Sequence, residues 1–215
     1  MTETILSELK SRVATHLKDE GSGHGFDHVM RVYNNALLIS KTENSDSDIV
    51  SAAALLHDVG DHKLNPEGRE LHRETIEKIA GDLFDTDFLE KVIFIVERVS
   101  YKGAGVEDLE MPIEGKIVRD ADRLDAIGAI GIARAFAYGG SHNRRLYNPE
   151  EEAQMHDNFE NYKNSDSSTL NHFYEKLFLL KDRMETATAK KIAEKRHAFM
   201  EEFVQWFKNE WDGEL

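Results

Sequence analysis

A chain of 215 residues is long enough for one good hydrophobic core and short enough for a single domain to use all of it. With 40% apolar residues, 32% charged residues and three prolines it reads as a globular chain, and no stretch approaches the roughly 20 apolar residues of a spanning helix. The net charge of −14 argues against the basic face that a binder of nucleic-acid polymers needs, but leaves room for a small anion held by a metal and a few local cations.

Apolar residues recur at helical spacing almost everywhere, with no alternating strand pattern, so the expected fold is all-α: a single-domain bundle of eight to ten helices. Ile5, Leu9, Val13 and Leu17 step by four before Gly21 stops the first helix. Val29, Val32, Ala36 and Ile39 mark the second. A third starts after Asp46, a good N-cap, and carries Ile49, Val50, Ala53 and Ala54 toward Gly60. Pro66 is placed to open a helix carrying Leu71, Ile76 and Ile79.

Another helix runs from about 85 to 99 with Phe88, Leu89, Val92, Val96 and Val99 inward, followed by a loop over 101–112. One long helix is expected from 113 to 138, rich in small residues that admit close neighbours. Residues 139–167 are polar and read as a loop or lid. Two last helices follow, near 168–184 and 186–211, the second with an apolar stripe of Phe199, Phe203 and Trp206. The absence of cysteine rules out a disulfide scaffold and a thiolate zinc site. The opening Met1-Thr2-Glu3-Thr4 lacks the basic start and apolar run of an export signal, so a cytoplasmic location is expected.

Four short segments carry residues suited to chemistry: His24-Gly25-Phe26-Asp27-His28, His57-Asp58, Asp61-His62-Lys63 and Asp120-Ala121-Asp122-Arg123. His28 shares a helical face with Val32, Ala36 and Ile39, and His57 continues the face of Val50, Ala53 and Ala54. Asp122 shares one with Val118, Asp125, Ala129 and Ile132, whereas Asp120 points nearly the opposite way. Three helices thus each turn a metal-competent side chain inward. Buried carboxylates are costly unless paired or coordinated. Two imidazoles and two carboxylates suit one borderline or hard divalent ion, Mn, Ni, Fe, Mg or Zn, which the ligands alone do not rank; Mn is the favoured expectation. In an octahedral sphere two positions stay open for a water and a phosphoryl oxygen.

The order His…His-Asp…Asp resembles the HD-domain metal-dependent phosphohydrolase superfamily. Leu55-Leu56-His57-Asp58-Val59-Gly60-Asp61 and Asp120-Ala121-Asp122-Arg123-Leu124-Asp125-Ala126-Ile127-Gly128 are similar to its YpgQ/YedJ-like branch. So are Ser100-Tyr101-Lys102-Gly103, Ala137-Tyr138-Gly139-Gly140 and His172-Phe173-Tyr174-Glu175-Lys176-Leu177, which extends the likeness over nearly the whole chain. The resemblance implies metal ligands at His28, His57, Asp58 and Asp122, the last being the aspartate that precedes the arginine. It also implies nucleoside triphosphates as substrates, cut between the α and β phosphates to give a monophosphate and pyrophosphate.

Other candidates follow from position. Asp61 lies one turn beyond Asp58 if the third helix continues through Gly60, within reach of a metal-bound water as a proton acceptor. Lys63 and Lys102 stand in flanking loops and could neutralise phosphate charge. Arg31, one turn past His28, and Arg123, next to Asp122, could touch substrate or orient a ligand carboxylate. Arg144 and Arg145 could close over a polyphosphate, and Asp125 could accept from a ligand histidine. His62, His72, His142, His156, His172 and His197 read as surface or structural. The expected partner is a small anionic nucleotide, not a nucleic-acid polymer and not a membrane. A nucleoside monophosphate phosphatase, a cyclic-nucleotide phosphodiesterase and a metal-holding regulatory module without turnover are the competing functions.

Overall fold

The computed structural model describes residues 1–18, 25–61, 71–99, 108–154 and 167–214. Among them there is no strand, as the helical periodicity requires. Seven helices come first: α1 (Glu3–His16), α2 (Phe26–Ser40), α3 (Ser47–Leu56), α4 (His72–Ala80), α5 (Thr86–Val99), α6 (Ile113–Asp125) and α7 (Gly128–Ser141). A short α8 (Asn171–Glu175), a 3-10 segment (Leu177–Arg183) and the long α9 (Ala187–Asp212) follow. No described helix is long and apolar enough to cross a membrane. The chain forms two compact units, one of Met1–Ser100 with Leu109–Asp122 and one of Tyr101–Asp108 with Arg123–Leu215.

The first unit is built around α3. Asp46 caps it, its carboxylate accepting from the amides of Asp48 and Ile49 at 2.9 and 3.3 Å. Every residue from Val50 to Leu56 is buried, as expected of a helix that is apolar on all sides. Its run of alanines presents a narrow surface, and α1, α2 and α5 all pack on it. Helix α4 packs on α5 and α1. Helix α3 ends at Leu56 and does not continue through Gly60. Gly60 takes φ +76, in the left-handed region that terminates helices. Residues 57–60 form a turn held by short-range bonds, Val59 N to Leu56 O and Asp61 N to Asp58 O, both 3.2 Å. Helix α4 begins at His72 rather than at Pro66, and Pro66 itself lies outside the described residues.

The expected long helix over 113–138 is two helices. Ile127 is extended and Gly128 has φ +78, so the chain turns between α6 and α7, and α7 runs on to Ser141. The face assigned to Asp122 therefore stops at Asp125: Ile132 belongs to α7, and Ala129 is exposed. Helix α6 is also buried on more sides than one stripe allows. Arg119 and Asp120 are as buried as Ile117 and Val118, and Arg119 donates to the carbonyls of Arg98 and Leu109 at 3.0 and 2.7 Å. Further polar contacts tie α6 to its neighbours in this unit. The Asp46 amide donates to Glu114 Oε1 at 2.8 Å, and Asn35 Nδ2 donates to the Ala121 carbonyl at 3.4 Å.

In the second unit α9 packs on α7 and on the 3-10 segment. The helix expected over 168–184 is broken into α8 and the 3-10 segment. The buried line of α9 is Ala189, Ala193, Met200 and Val204 rather than the aromatic stripe, and Phe199 and Trp206 are about half exposed, at 48% and 51%. Phe203 and Phe207 instead join Phe136 and Phe173 in a cluster with ring centroids 5.8–6.0 Å apart. Of the expected loop at 139–167, residues 142–154 are irregular and 155–166 lie outside the described residues.

His172 on α8 gives this unit a pH signature. Burial, reinforced by the charges of Lys176 and Arg144, pushes its imidazole from the ordinary 6.5 down to about 3. Between those values the unfolded chain binds a proton that the native chain refuses. The stability due to neutral His172 is therefore complete above pH 6.5 and falls on acidification, by up to about 1.4 kcal/mol per pH unit. Thermal unfolding between pH 7 and 4.5 should show the wild type losing stability relative to His172→Asn. Parallel curves would contradict this.

Candidate metal centre

The sequence brings His28 to its place through the first turn of α2, where Gly25 is the N-cap and its carbonyl accepts from the His28 amide at 2.9 Å. His57 stands at the C-cap of α3, with Asp58 next in the turn. Asp122 projects from α6. All four belong to the first compact unit. His57 Nδ1 is 2.9 Å from the Ala54 carbonyl. A carbonyl only accepts, so Nδ1 carries the proton and Nε2 keeps its lone pair for a ligand.

The donor atoms converge. His57 Nε2 lies 3.2 Å from His28 Nε2. Asp58 Oδ2 is 3.3 Å from His28 Nε2 and its Oδ1 is 3.5 Å from His57 Nε2. Asp122 Oδ1 is 3.5 Å from His28 Nε2 and 4.0 Å from His57 Nε2. His28, His57 and Asp58 are buried and close enough to share one ion. Donors about 2.1 Å from a common octahedral ion stand roughly 3.0 Å apart when adjacent and about 4.2 Å apart when opposed, and the observed spacings fall between these limits. Two buried imidazoles facing two carboxylates form a set that a divalent cation would compensate. The Asp122 side chain is 31% exposed against 10% for Asp58, so solvent reaches the cluster from the α6 side.

The other candidates separate. Asp61 is buried in the same turn, its amide donating to the Asp58 carbonyl at 3.2 Å. Lys63 and Lys102 lie outside the described residues, as do His24 and His62. Arg31 pairs with Asp27 at 2.8 Å and holds that carboxyl below its usual range. Arg123 is buried, with its guanidinium donating to Asp108 at 2.6 Å and to the Arg183 carbonyl. Asp125 pairs with Arg134 at 2.7 Å. In the second unit, the Arg144 guanidinium stands 5.6 Å from the Tyr138 ring centre, and the exposed Arg145 accepts from the Thr169 amide through its carbonyl.

His72, read from the sequence as surface or structural, is structural: it is buried with Nδ1 2.8 Å from the Val59 carbonyl in the His57–Gly60 turn. It shares one face of α4 with Ile76 and Ile79.

The sequence pattern of the HD domain matches residues 25–127, a span that contains all four converging residues. The chain is also 39% identical over 207 residues to the uncharacterized protein YpgQ of Bacillus subtilis, covering 96% of this chain and 93% of that one. The chain belongs to the HD-domain family. It is an HD-type metal-dependent phosphohydrolase. HD domains bind a divalent metal, and His28, His57 and Asp58 offer such a site here.

Solved HD relatives superimpose over nearly the whole chain. A Lactobacillus plantarum protein matches with TM-score 0.83 at 38% identity, over 99% of each chain. An HD-superfamily hydrolase from Bacillus thuringiensis matches with TM-score 0.76 at 38% identity, over 96% of each. The structure of YpgQ in complex with ADP matches with TM-score 0.75 at 33% identity, over 95% of this chain and 97% of that one.

Proposed function

We propose that this HD phosphohydrolase hydrolyses (deoxy)nucleoside triphosphates between the α and β phosphates, yielding a monophosphate and pyrophosphate. The observation that carries the chemistry is the convergence of two Nε2 atoms and two carboxylates at 3.2–4.0 Å. A nucleotide as substrate is supported by the relative crystallised with ADP and by the −14 charge, which disfavours polymeric nucleic acid.

In this reading His28, His57, Asp58 and Asp122 hold one divalent ion, with Mn favoured. Such an ion supplies Lewis acidity to a phosphoryl oxygen and lowers the pKa of water. Asp61, buried three residues after Asp58, accepts the proton of the attacking water. Lys63 and Lys102 supply positive charge to the phosphates, and Arg31 remains as a further contact for a polyphosphate chain. Arg123 acts instead by fixing Asp108.

The test is to strip the protein with chelator, return Mn, Mg, Ni or Zn singly, and measure pyrophosphate and orthophosphate separately over a nucleotide panel. Pyrophosphate from triphosphates, restored best by Mn, is the expected result. Orthophosphate from monophosphates alone would move the function to a nucleotidase. No turnover despite bound metal would favour a regulatory module.

A further inference from the structure

Two hydrogen bonds and one backbone contact join the start of α4 to the turn that carries Asp58. The Leu71 amide donates to the Gly60 carbonyl at 2.8 Å, and His72 Nδ1 lies 2.8 Å from the Val59 carbonyl. The carbonyl only accepts, so Nδ1 carries the proton and His72 is the donor. A Cβ at Gly60 would fall 2.6–2.8 Å from Leu71 O, Leu71 C and His72 N, so the two backbones touch there.

The turn needs such support. The regular ladder of α3 has ended at Leu56, and the Val59 and Asp61 amides donate short-range bonds of 3.2 Å to Leu56 O and Asp58 O. Yet Asp58 sits inside this turn, and a ligand carboxylate has to be held within about 0.5 Å to be useful. His57 is fixed by its own bond to Ala54, and beyond Asp58 the start of α4 holds the Val59 and Gly60 carbonyls.

We propose that His72 is a positioning residue for the metal centre: its Nδ1–H holds the Val59 carbonyl and thereby sets the Asp58 carboxylate against His28 and His57. The inference rests on the metal-site reading above. It predicts that His72 acts on metal affinity and turnover without touching the substrate.

The experiment measures the Mn dissociation constant, by electron paramagnetic resonance of free Mn, for wild type, His72→Leu, His72→Asn and Ile76→Ala, together with kcat and KM. His72→Leu removes the donor and is expected to weaken Mn binding by about tenfold or more, the range for groups that orient ligands, with kcat lowered and KM unchanged. His72→Asn keeps an N–H near the same point and should recover most of the affinity. Ile76→Ala, a core truncation on the same helix, should lower the melting temperature and leave Mn affinity alone.

Wild-type affinity in His72→Leu, equal loss in Ile76→Ala, or no recovery in His72→Asn would overturn the proposal. Should the leucine variant not fold, the asparagine variant decides alone: retained affinity supports the role and lost affinity refutes it. A wild-type chain that binds no Mn would instead overturn the metal-site reading itself.

Discussion

Asp58→Ala is expected to lower metal-dependent hydrolysis by about a thousandfold, the several kcal/mol that a bound ion contributes to the transition state. Asp58 is buried and within 3.3–3.5 Å of both imidazoles, so its loss removes the most enclosed carboxylate of the cluster. Stability should move differently. A ligand that binds only the native state stabilises wild type by about 2.7 kcal/mol at one hundred times its dissociation constant. That Mn-induced rise should vanish in the variant. Retention of both activity and the Mn-induced rise would show that Asp58 is not a ligand.

Gly60→Ala is expected to be the most damaging single methyl in the first unit. A side chain at φ +76 costs about 1–2 kcal/mol by itself. The added Cβ would also stand 2.6–2.8 Å from backbone atoms of Leu71 and His72, which no rotamer change can relieve. Together these should cost more than about 3 kcal/mol in urea unfolding, and Mn affinity should fall because the same turn carries Asp58. A loss below about 1 kcal/mol would mean that α4 yields easily and supports the turn little.

What could be read in the sequence follows from which patterns were local. Asp46 announced the start of α3, and the four-residue steps of Ile5, Leu9 and Val13 announced α1, because capping and periodicity need no tertiary knowledge. His28, His57, Asp58 and Asp122 are legible as candidates for the same reason, each lying on or beside an apolar face. The break before Gly128 was hidden, since Ala126, Ile127 and Gly128 keep a helical apolar rhythm while one left-handed φ ends it.

The end of α3 was misjudged in the same way at Gly60, which placed Asp61 on a helix that does not reach it. The burial of Asp120 and Arg119 depends on how deeply α6 sits, and periodicity reports direction but not depth. On α9 the large aromatics drew attention away from Ala189 and Ala193, whose small side chains form the buried line. His72 looked ordinary because its importance comes from a carbonyl thirteen residues away.

The proposed hydrolysis requires one divalent ion held by His28, His57, Asp58 and Asp122. Crystals grown with Mn, with diffraction recorded at the Mn absorption edge, test it most directly. One strong anomalous peak per chain is expected, about 2.0–2.2 Å from His28 Nε2, His57 Nε2 and carboxylate oxygens of Asp58 and Asp122. A peak coordinated by Asp120 in place of Asp122, or at a site that excludes the two histidines, would contradict it.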